Sequence, residues 1–104
     1  MPNKFEVLDH KGRLITCTDE RWQHIISNRH FMSTYVAKVK SALEKPTCRR
    51  RDADYPNREV FYRLYKTKKQ FMKVVVEFDG DAGRVITAHP ASSYKKGEIE
   101  LWKI

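Results

Sequence analysis

The stretch that most constrains the fold of this chain lies between residues 71 and 91. Two runs rich in β-branched and aromatic residues, 71–78 and 84–89, flank a short segment of Asp, Ala and Gly at 79–83. Glycine adopts positive φ without steric cost, and Asp tolerates tight turns, so the chain is predicted to reverse here and pair its own strands. We expect the rest of the chain to be organised around this hairpin.

Side-chain alternation gives the two strands of this hairpin different faces. One face is predicted to be apolar, with Val74, Val76 and Phe78, and the other to carry Lys73, Val75 and Glu77. On the return strand, Thr87 and His89 are predicted to share a face with Val85, and to stand with Lys73 on an open side of the sheet. Titratable groups at strand positions are one way to build a site on a sheet.

The segments before the hairpin predict a further hairpin and two helices. Apolar runs at 5–8 and 13–16 are separated by Asp9-His10-Lys11-Gly12, which indicates a short hairpin within residues 1–17. Thr18 is a candidate N-cap for a helix reaching about Asn28. A second pattern of helical spacing ends at Pro46, which cannot continue a helix.

The remaining segments predict more strands. Residues 47–58 are expected to form a first sheet strand that leads into a long mobile loop, 60–65 a second strand and 66–69 a cationic turn. On the second strand, Phe61, Arg63 and Tyr65 are predicted to face the open side. Together the segments predict an α+β fold, a single domain of residues 1–104. Two N-terminal helices would pack on one face of a four-stranded antiparallel sheet, with the 1–17 hairpin added in front.

The charge balance limits the partners of this chain. Twenty-one Lys and Arg against thirteen Asp and Glu give a net charge of +8. Such a field attracts polyanions, of which nucleic acid is the commonest, although an acidic protein or an anionic membrane would be attracted as well. Cys17 and Cys48 are far apart and are expected to be free thiols. With no secretory signal and no segment long enough to span a bilayer, we expect a cytoplasmic protein without a membrane partner.

The candidate chemical groups are histidines and cations. No metal-ligand spacing, phosphate-binding glycine loop or serine or cysteine nucleophile context is present, so neither a metal nor a cofactor is expected. RNA cleavage through the ribose 2'-hydroxyl needs only a base, an acid and positive charge. His24, His30 and His89 are candidates for the proton transfers, and Arg63, Lys73 and Lys96 for the charge. Each also has a structural alternative, as a solvated histidine, a helix-end or strand-end residue, or an exposed strand cation.

Several short segments recur in the order of a known family. These are 21–25 (RWQHI), His30 with Met32, Tyr35, Tyr62-Arg63, 73–76 (KVVV), 85–88 (VITA) and 96–102 (KGEIELW). In this order they resemble the small bacterial and phage-associated nucleases of the barnase/EndoU/colicin/RelE-like class, the phage BECR group, over about residues 18–102. The family has proline and glutamate where Phe31 and Met32 follow His30, and more often a tyrosine in place of His89.

The resemblance implies metal-independent ribonuclease or toxin-like activity. It implies catalytic positions at His24, His30, Arg63 and Thr87, to which the chemistry above adds Lys73 and His89. The basic residues expected to contact RNA are Arg21, Arg49, Arg50, Arg51, Lys66, Lys68, Lys69, Lys95 and Lys96. An inactive module that binds RNA or an acidic partner is the alternative. A third possibility is an accessory of a mobile element that docks a larger protein, such as an acidic antitoxin or immunity protein.

Overall fold

The structure, a computed structural model, describes residues 2–65 and 70–104. Two α-helices, α1 (Asp19–Asn28) and α2 (Val36–Glu44), are separated by a 3-10 helix at His30–Thr34. The strands are β1 (Asn3–Leu8), β2 (Leu14–Thr18), β3 (Cys48–Arg51), β4 (Arg58–Leu64), β5 (Phe71–Asp79), β6 (Ala82–Ala91) and β7 (Ile99–Lys103). None of the helices in the described ranges is long and apolar enough to span a membrane.

All seven strands belong to one mixed sheet, in the order β1-β2-β6-β5-β4-β3-β7. The strand β2 pairs with β6 in parallel, and the other neighbouring strands pair antiparallel. The antiparallel strands β3 to β6 match the four strands predicted from the sequence. The sheet is nevertheless larger than predicted, because the N-terminal hairpin extends one edge and the C-terminal segment adds β7 to the other.

Both helices bury their apolar stripes against the same face of the sheet. The hydroxyl of Thr18 accepts a hydrogen bond from the Arg21 amide, which confirms the predicted N-cap of α1. Helix α1 buries Trp22 and Ile25, and α2 buries Val39, Ala42 and Leu43. The core residues of the central strands β4, β5 and β6 are Phe61, Met72, Val74, Val76, Val85 and Ala88. We call this the helix face, and its opposite the open face.

The N-terminal hairpin is part of the core. Phe5, Val7, Ile15 and Cys17 are buried in the same cluster as Trp22. Both cysteines are free thiols, as predicted, and both are buried. The hairpin therefore contributes apolar surface to the main core as well as covering the edge of β6.

The prediction for β4 was wrong. Its side chains alternate in the opposite sense: Phe61 packs in the core with the helices, and Tyr62 packs on the open face with Cys48 and Val75. Arg63 consequently lies on the helix face, opposite Met72, where its guanidinium donates to the Lys45 carbonyl. The sequence could not show which β4 side chains face the helices, because Val60, Phe61 and Tyr62 are all fully buried and apolar side chains cover both faces there.

A β-bulge at Ile86 determines which side chains of the return strand β6 lie on the open face. Val76 pairs with Val85 whereas Val75 pairs with Thr87, so one residue of β6 is extra at this point. Thr87 and His89 therefore share the open face with Lys73, as predicted. They do not share a face with Val85, which lies in the helix-face core.

Candidate functional site

The register of the central strands arranges the open face in cross-strand rows. One row is Tyr62, Lys73 and His89, and the next is Val60, Val75 and Thr87. Directly opposed residues on paired strands have Cβ atoms about 5 Å apart. The structure therefore places Lys73, Thr87 and His89, all predicted site residues, in adjacent positions on two strands.

A further row of the open face is charged. It runs Arg58, Glu77 and Arg84 across β4, β5 and β6. Glu77 accepts hydrogen bonds from both arginines, and these bonds lower the pKa of its carboxyl below the ordinary value. The two guanidinium groups thus share one carboxylate, so this row carries a net positive charge at the end of the face remote from His89.

The segment 92–98 covers the β3 and β4 side of the open face. The Tyr94 ring lies 4.8 Å from that of Tyr62 and 5.1 Å from that of Phe71. Beneath it, the Glu98 side chain is fully buried and accepts a 2.7 Å hydrogen bond from the Tyr62 hydroxyl. Lys73, whose ammonium lies 3.6 Å from Glu98, is only 12% exposed. The open face is therefore accessible mainly along β6.

His89 is set up as a neutral imidazole. Its Nδ1 lies 2.9 Å from the Pro90 carbonyl oxygen. Since a carbonyl can only accept, Nδ1 carries the hydrogen, and the lone pair of Nε2 is free when the ring is neutral. Burial lowers the pKa of His89, the bond to Pro90 opposes this, and the positive charges of Arg29 and Lys73 lower it further. A partly buried histidine that is neutral at pH 7 can accept a proton.

Helix α1 follows the part of β6 that β2 does not cover. The paired residues of β2 end opposite Arg84, and beyond them Arg21 Nη1 donates to the Ile86 carbonyl at 3.3 Å. Near the other end of the helix, the charge of Arg29 acts on His89. Arg21 and His24 are three residues apart and lie on one stripe of the helix.

His24 is therefore placed along this edge, between the two arginines. It is exposed, and together with Thr18, Glu20 and Arg21 it lines a cleft of about 340 Å³. Lys73, Thr87 and His89 are neighbours on the open face, whereas His24 and Arg21 line a cleft of their own on α1, joined to β6 through the Arg21 bond to Ile86. We call these five residues together the β6-edge site. Its chemical content is two histidines, two cations and one hydroxyl.

Other predicted residues lie away from this site. Arg63 is on the helix face, and Arg49 is buried there, with its guanidinium bonded to Glu59 and to His10. Arg50 is on the open face but is paired with the buried Glu98. His30, Arg51, Lys95 and Lys96 are exposed outside the central rows. The predicted contacts Lys66, Lys68 and Lys69 lie outside the described residues.

Two residues of the site region were missed from the sequence. Arg29 has the sequence context of an ordinary exposed cation at a helix end, and nothing in that context relates it to His89. Glu98 lies between Gly97 and the final strand, where a charged residue is normally solvated. The sequence signal available for Glu98 was the glycine before it, and in the structure Gly97 has φ of +94° and makes a sharp turn ahead of β7.

No protein-family model, curated protein or solved structure matches this chain. Across residues 2–65 and 70–104, no three His, Cys, Asp or Glu side chains are grouped so as to hold a metal ion. A functional assignment therefore has to follow from the chain's own residues.

Proposed function

We propose that the protein is a metal-independent endoribonuclease whose active site is the β6-edge site. The observation that carries the proposal is His89: a partly buried imidazole with a free Nε2, directly opposite Lys73 on the open face. The exposed His24 lies on α1, which packs along the same strand β6. Two helices packed behind antiparallel strands, with the polar residues on the other face, also support the resemblance to the BECR nucleases. Fold-level likeness by itself would not give an activity.

The chemistry needs two proton transfers and no other reagent. His89 Nε2 accepts the proton of a ribose 2'-hydroxyl, and the 2'-oxygen attacks the adjacent phosphorus. The bond from phosphorus to the 5'-oxygen breaks, and a protonated histidine, which we assign to His24, donates a proton to that oxygen. The products are a 2',3'-cyclic phosphate and a free 5'-hydroxyl. Arg21 and Lys73 stabilise the charge of the phosphorane, and the Thr87 hydroxyl orients one of its oxygens.

The first test is whether purified protein cuts RNA in the presence of EDTA and leaves cyclic-phosphate ends. His89→Asn keeps a side-chain N–H near the position of Nδ1, able to donate to Pro90, but removes Nε2. We expect it to lower kcat by about 100-fold or more, the usual contribution of a general base. His24→Ala is expected to lower kcat as well, and Gln23→Ala, an exposed neighbour on another stripe of α1, is the matched control. Full activity in His89→Asn would remove His89 from the mechanism.

A binding module is the second candidate, and one observation favours it. Lys73 and Arg50 are paired with Glu98 in the free protein, so they can hold a phosphate only once Glu98 is displaced, and Arg63 lies on the opposite face of the sheet. A binding module would leave RNA intact and bind it with an affinity that falls steeply with salt. If RNA is neither cut nor bound and an acidic protein co-purifies, the basic surface serves a protein partner such as an antitoxin or immunity protein.

A further inference from the structure

Donors from three strands converge on one buried carboxylate of the open face. The Tyr62 hydroxyl of β4 donates to Glu98 Oε1 at 2.7 Å, and Arg50 Nε of β3 lies 3.3 Å from the same oxygen. Lys73 Nζ of β5 lies 3.6 Å from Oε2. Glu98 itself comes from none of these strands, but from the end of the segment 92–98 that lies over them.

The donor set is suited to an oxyanion in general. A guanidinium, an ammonium and a hydroxyl are the groups that bind carboxylates and phosphates alike. Tyr62 remains a donor because burial and the Glu98 charge raise the pKa of its hydroxyl. We propose that Arg50, Lys73 and Tyr62 form a phosphate-binding site, that Glu98 occupies it in the free protein, and that a phosphate group of bound RNA replaces Glu98.

The fit of Glu98 to these donors is incomplete. Charge-assisted hydrogen bonds have optimal lengths of about 2.7–2.9 Å, which the contacts to Arg50 and Lys73 exceed. Arg50 Nε and Glu98 Oε2 are both buried without a hydrogen-bond partner of good geometry. Two cations face one fully buried carboxylate, and the Glu100 carboxylate, 3.8 Å from Arg50 Nη1, is half exposed. A phosphate, with more acceptor oxygens, would satisfy donors that Glu98 leaves unpaired.

The segment 92–98, which carries Glu98, can move without breaking the pairing of the central strands. Its residues 92, 93 and 95–97 are exposed, and Gly97 has φ of +94°. The Lys95 amide reaches the Tyr62 hydroxyl at 3.4 Å, and the Lys95 ammonium reaches Asp54 at 3.8 Å, with both side chains more than half exposed. Such contacts are weak. Arg50 also holds the segment, by a 3.0 Å hydrogen bond from Nη2 to the Glu98 carbonyl and by its stacking on Tyr94. Lifting the segment breaks all of these contacts, but requires no break in the pairing of β3, β4 and β5.

The site lies next to the proposed cleavage site. Lys73 belongs to both, since it contacts Glu98 and is paired with His89 across β5 and β6. The phosphate that replaces Glu98 would be a neighbour of the scissile one, so the inference rests on the proposed function for its ligand. The existence of the oxyanion site does not depend on cleavage and can be tested with inorganic phosphate.

The experiment compares Glu98→Ala with Glu100→Ala, which removes the same charge from an exposed position near the same arginine. In calorimetric titration with inorganic phosphate at constant ionic strength, Glu98→Ala is expected to bind at least tenfold more tightly than the wild type and Glu100→Ala. An uncleavable 2'-O-methyl RNA hexanucleotide is expected to bind Glu98→Ala at least tenfold more tightly than the wild type, because no carboxylate has to be displaced. Glu100→Ala is expected to change this affinity less than threefold.

Two results would overturn the inference. If the phosphate affinity of Glu98→Ala equals that of Glu100→Ala, there is no oxyanion site. If phosphate binds but RNA affinity does not rise above that of Glu100→Ala, RNA does not use the site. Should Glu98→Ala not fold, its refolding by phosphate at about 1 mM, too dilute for a general salting effect, but not by chloride at equal ionic strength, supports the site, and failure of both contradicts it. Absence of RNA cleavage by the wild type would count against the proposed function alone.

Discussion

At the scale of single residues, Glu59 on β4 joins three separate parts of the chain. Its two carboxylate oxygens accept hydrogen bonds of 3.1 and 2.9 Å from Arg13 of the N-terminal hairpin, and Oε1 accepts a third of 2.6 Å from Arg49. Arg13 also pairs with the buried Asp9, and Arg49 Nε donates to His10 Nε2. Burial would raise the pKa of Glu59, but the bonds from the two arginines outweigh it and hold that pKa below its ordinary value.

Removing the charge of Glu59 is therefore expected to destabilise the fold. In Glu59→Gln the side chain keeps its size, but the partly buried guanidinium of Arg49 loses its counter-charge and that of Arg13 keeps only Asp9. We expect the free energy of unfolding at pH 7 to fall by about 2 kcal/mol, less than for a fully buried pair because 16% of the Glu59 side chain is exposed. Urea unfolding measures this. Glu44→Gln, at an exposed position of α2, should change it by less than about 0.5 kcal/mol, and equal effects would refute the account.

The residues of the candidate site were predictable to the extent that they depend on local alternation. Lys73 was placed correctly because β5 has one clearly apolar face. His89 was placed on the same side as Lys73, but alternation put Val85 there as well, and the bulge at Ile86 turns Val85 to the other face. Arg63 was misplaced, since fully buried neighbours hide the alternation of β4. Glu98 was missed because its burial depends on Arg50, Tyr62 and Lys73, which approach it from other strands. Contacts between residues so far apart in the sequence leave no local pattern from which they could be predicted.

At the scale of elements, the β5–β6 hairpin was predicted from its turn, and its bulge was not. A bulge adds one residue without changing the composition of a strand, so the run 85–89 looks regular. The hairpin of residues 1–17 was predicted as an element but not as part of the sheet. Its parallel pairing with β6 joins residues far apart in sequence, as in Leu14 with Ala82. The α1 N-cap, which depends only on adjacent residues, was placed correctly.

The β5–β6 hairpin also contains a glycine that is required for packing rather than for backbone conformation. A Cβ at Gly83 would lie 2.8 Å from Val76 Cγ1 and 2.9 Å from Phe78 Cε1. Because Val76 is fully buried in the core, Gly83→Ala is expected to lower the free energy of unfolding by about 1–3 kcal/mol. Gly80→Asn, in the turn of the same hairpin, is the control. Gly80 has φ of +63° and open space around it, and Asn tolerates that conformation. A thermal shift as large in Gly80→Asn as in Gly83→Ala would contradict the packing explanation.

At the scale of the whole molecule, the charges divide into two systems on opposite faces of the sheet. On the helix face, Asp9, Arg13, Glu59 and Arg49 compensate one another within the fold. On the open face, Glu98 and Glu77 each balance two cations, while Arg29 and the other exposed cations of the β6 side remain available to a polyanion. The Glu98 and Glu77 groups therefore each leave one net positive charge on the face where RNA is proposed to bind.

Acid should destabilise this molecule in two stages. Burial and the charge of Arg49 lower the pKa of His10 below its ordinary 6.5, and burial lowers that of His89. The unfolded chain therefore binds more protons as the pH falls through 6.5, and the free energy of unfolding decreases there. The lowered pKa of Glu59 adds a second loss. Below the ordinary pKa of 4.5 the unfolded chain takes up a proton before the folded chain does, so the free energy of unfolding decreases again.

Self-repulsion among the cations would produce an acid loss in the same direction, so a variant has to separate the two causes. In His10→Gln an amide oxygen can still accept from Arg49 Nε, but no proton is taken up. We expect the free energy of unfolding at pH 8 to be lower in this variant, because the His10 ring also packs on Trp102, and the loss between pH 7 and pH 5 to be smaller than in the wild type. If the two proteins lose stability in parallel over that range, the Arg49–His10 hydrogen bond does not couple the fold to pH, and general charge repulsion accounts for the acid sensitivity.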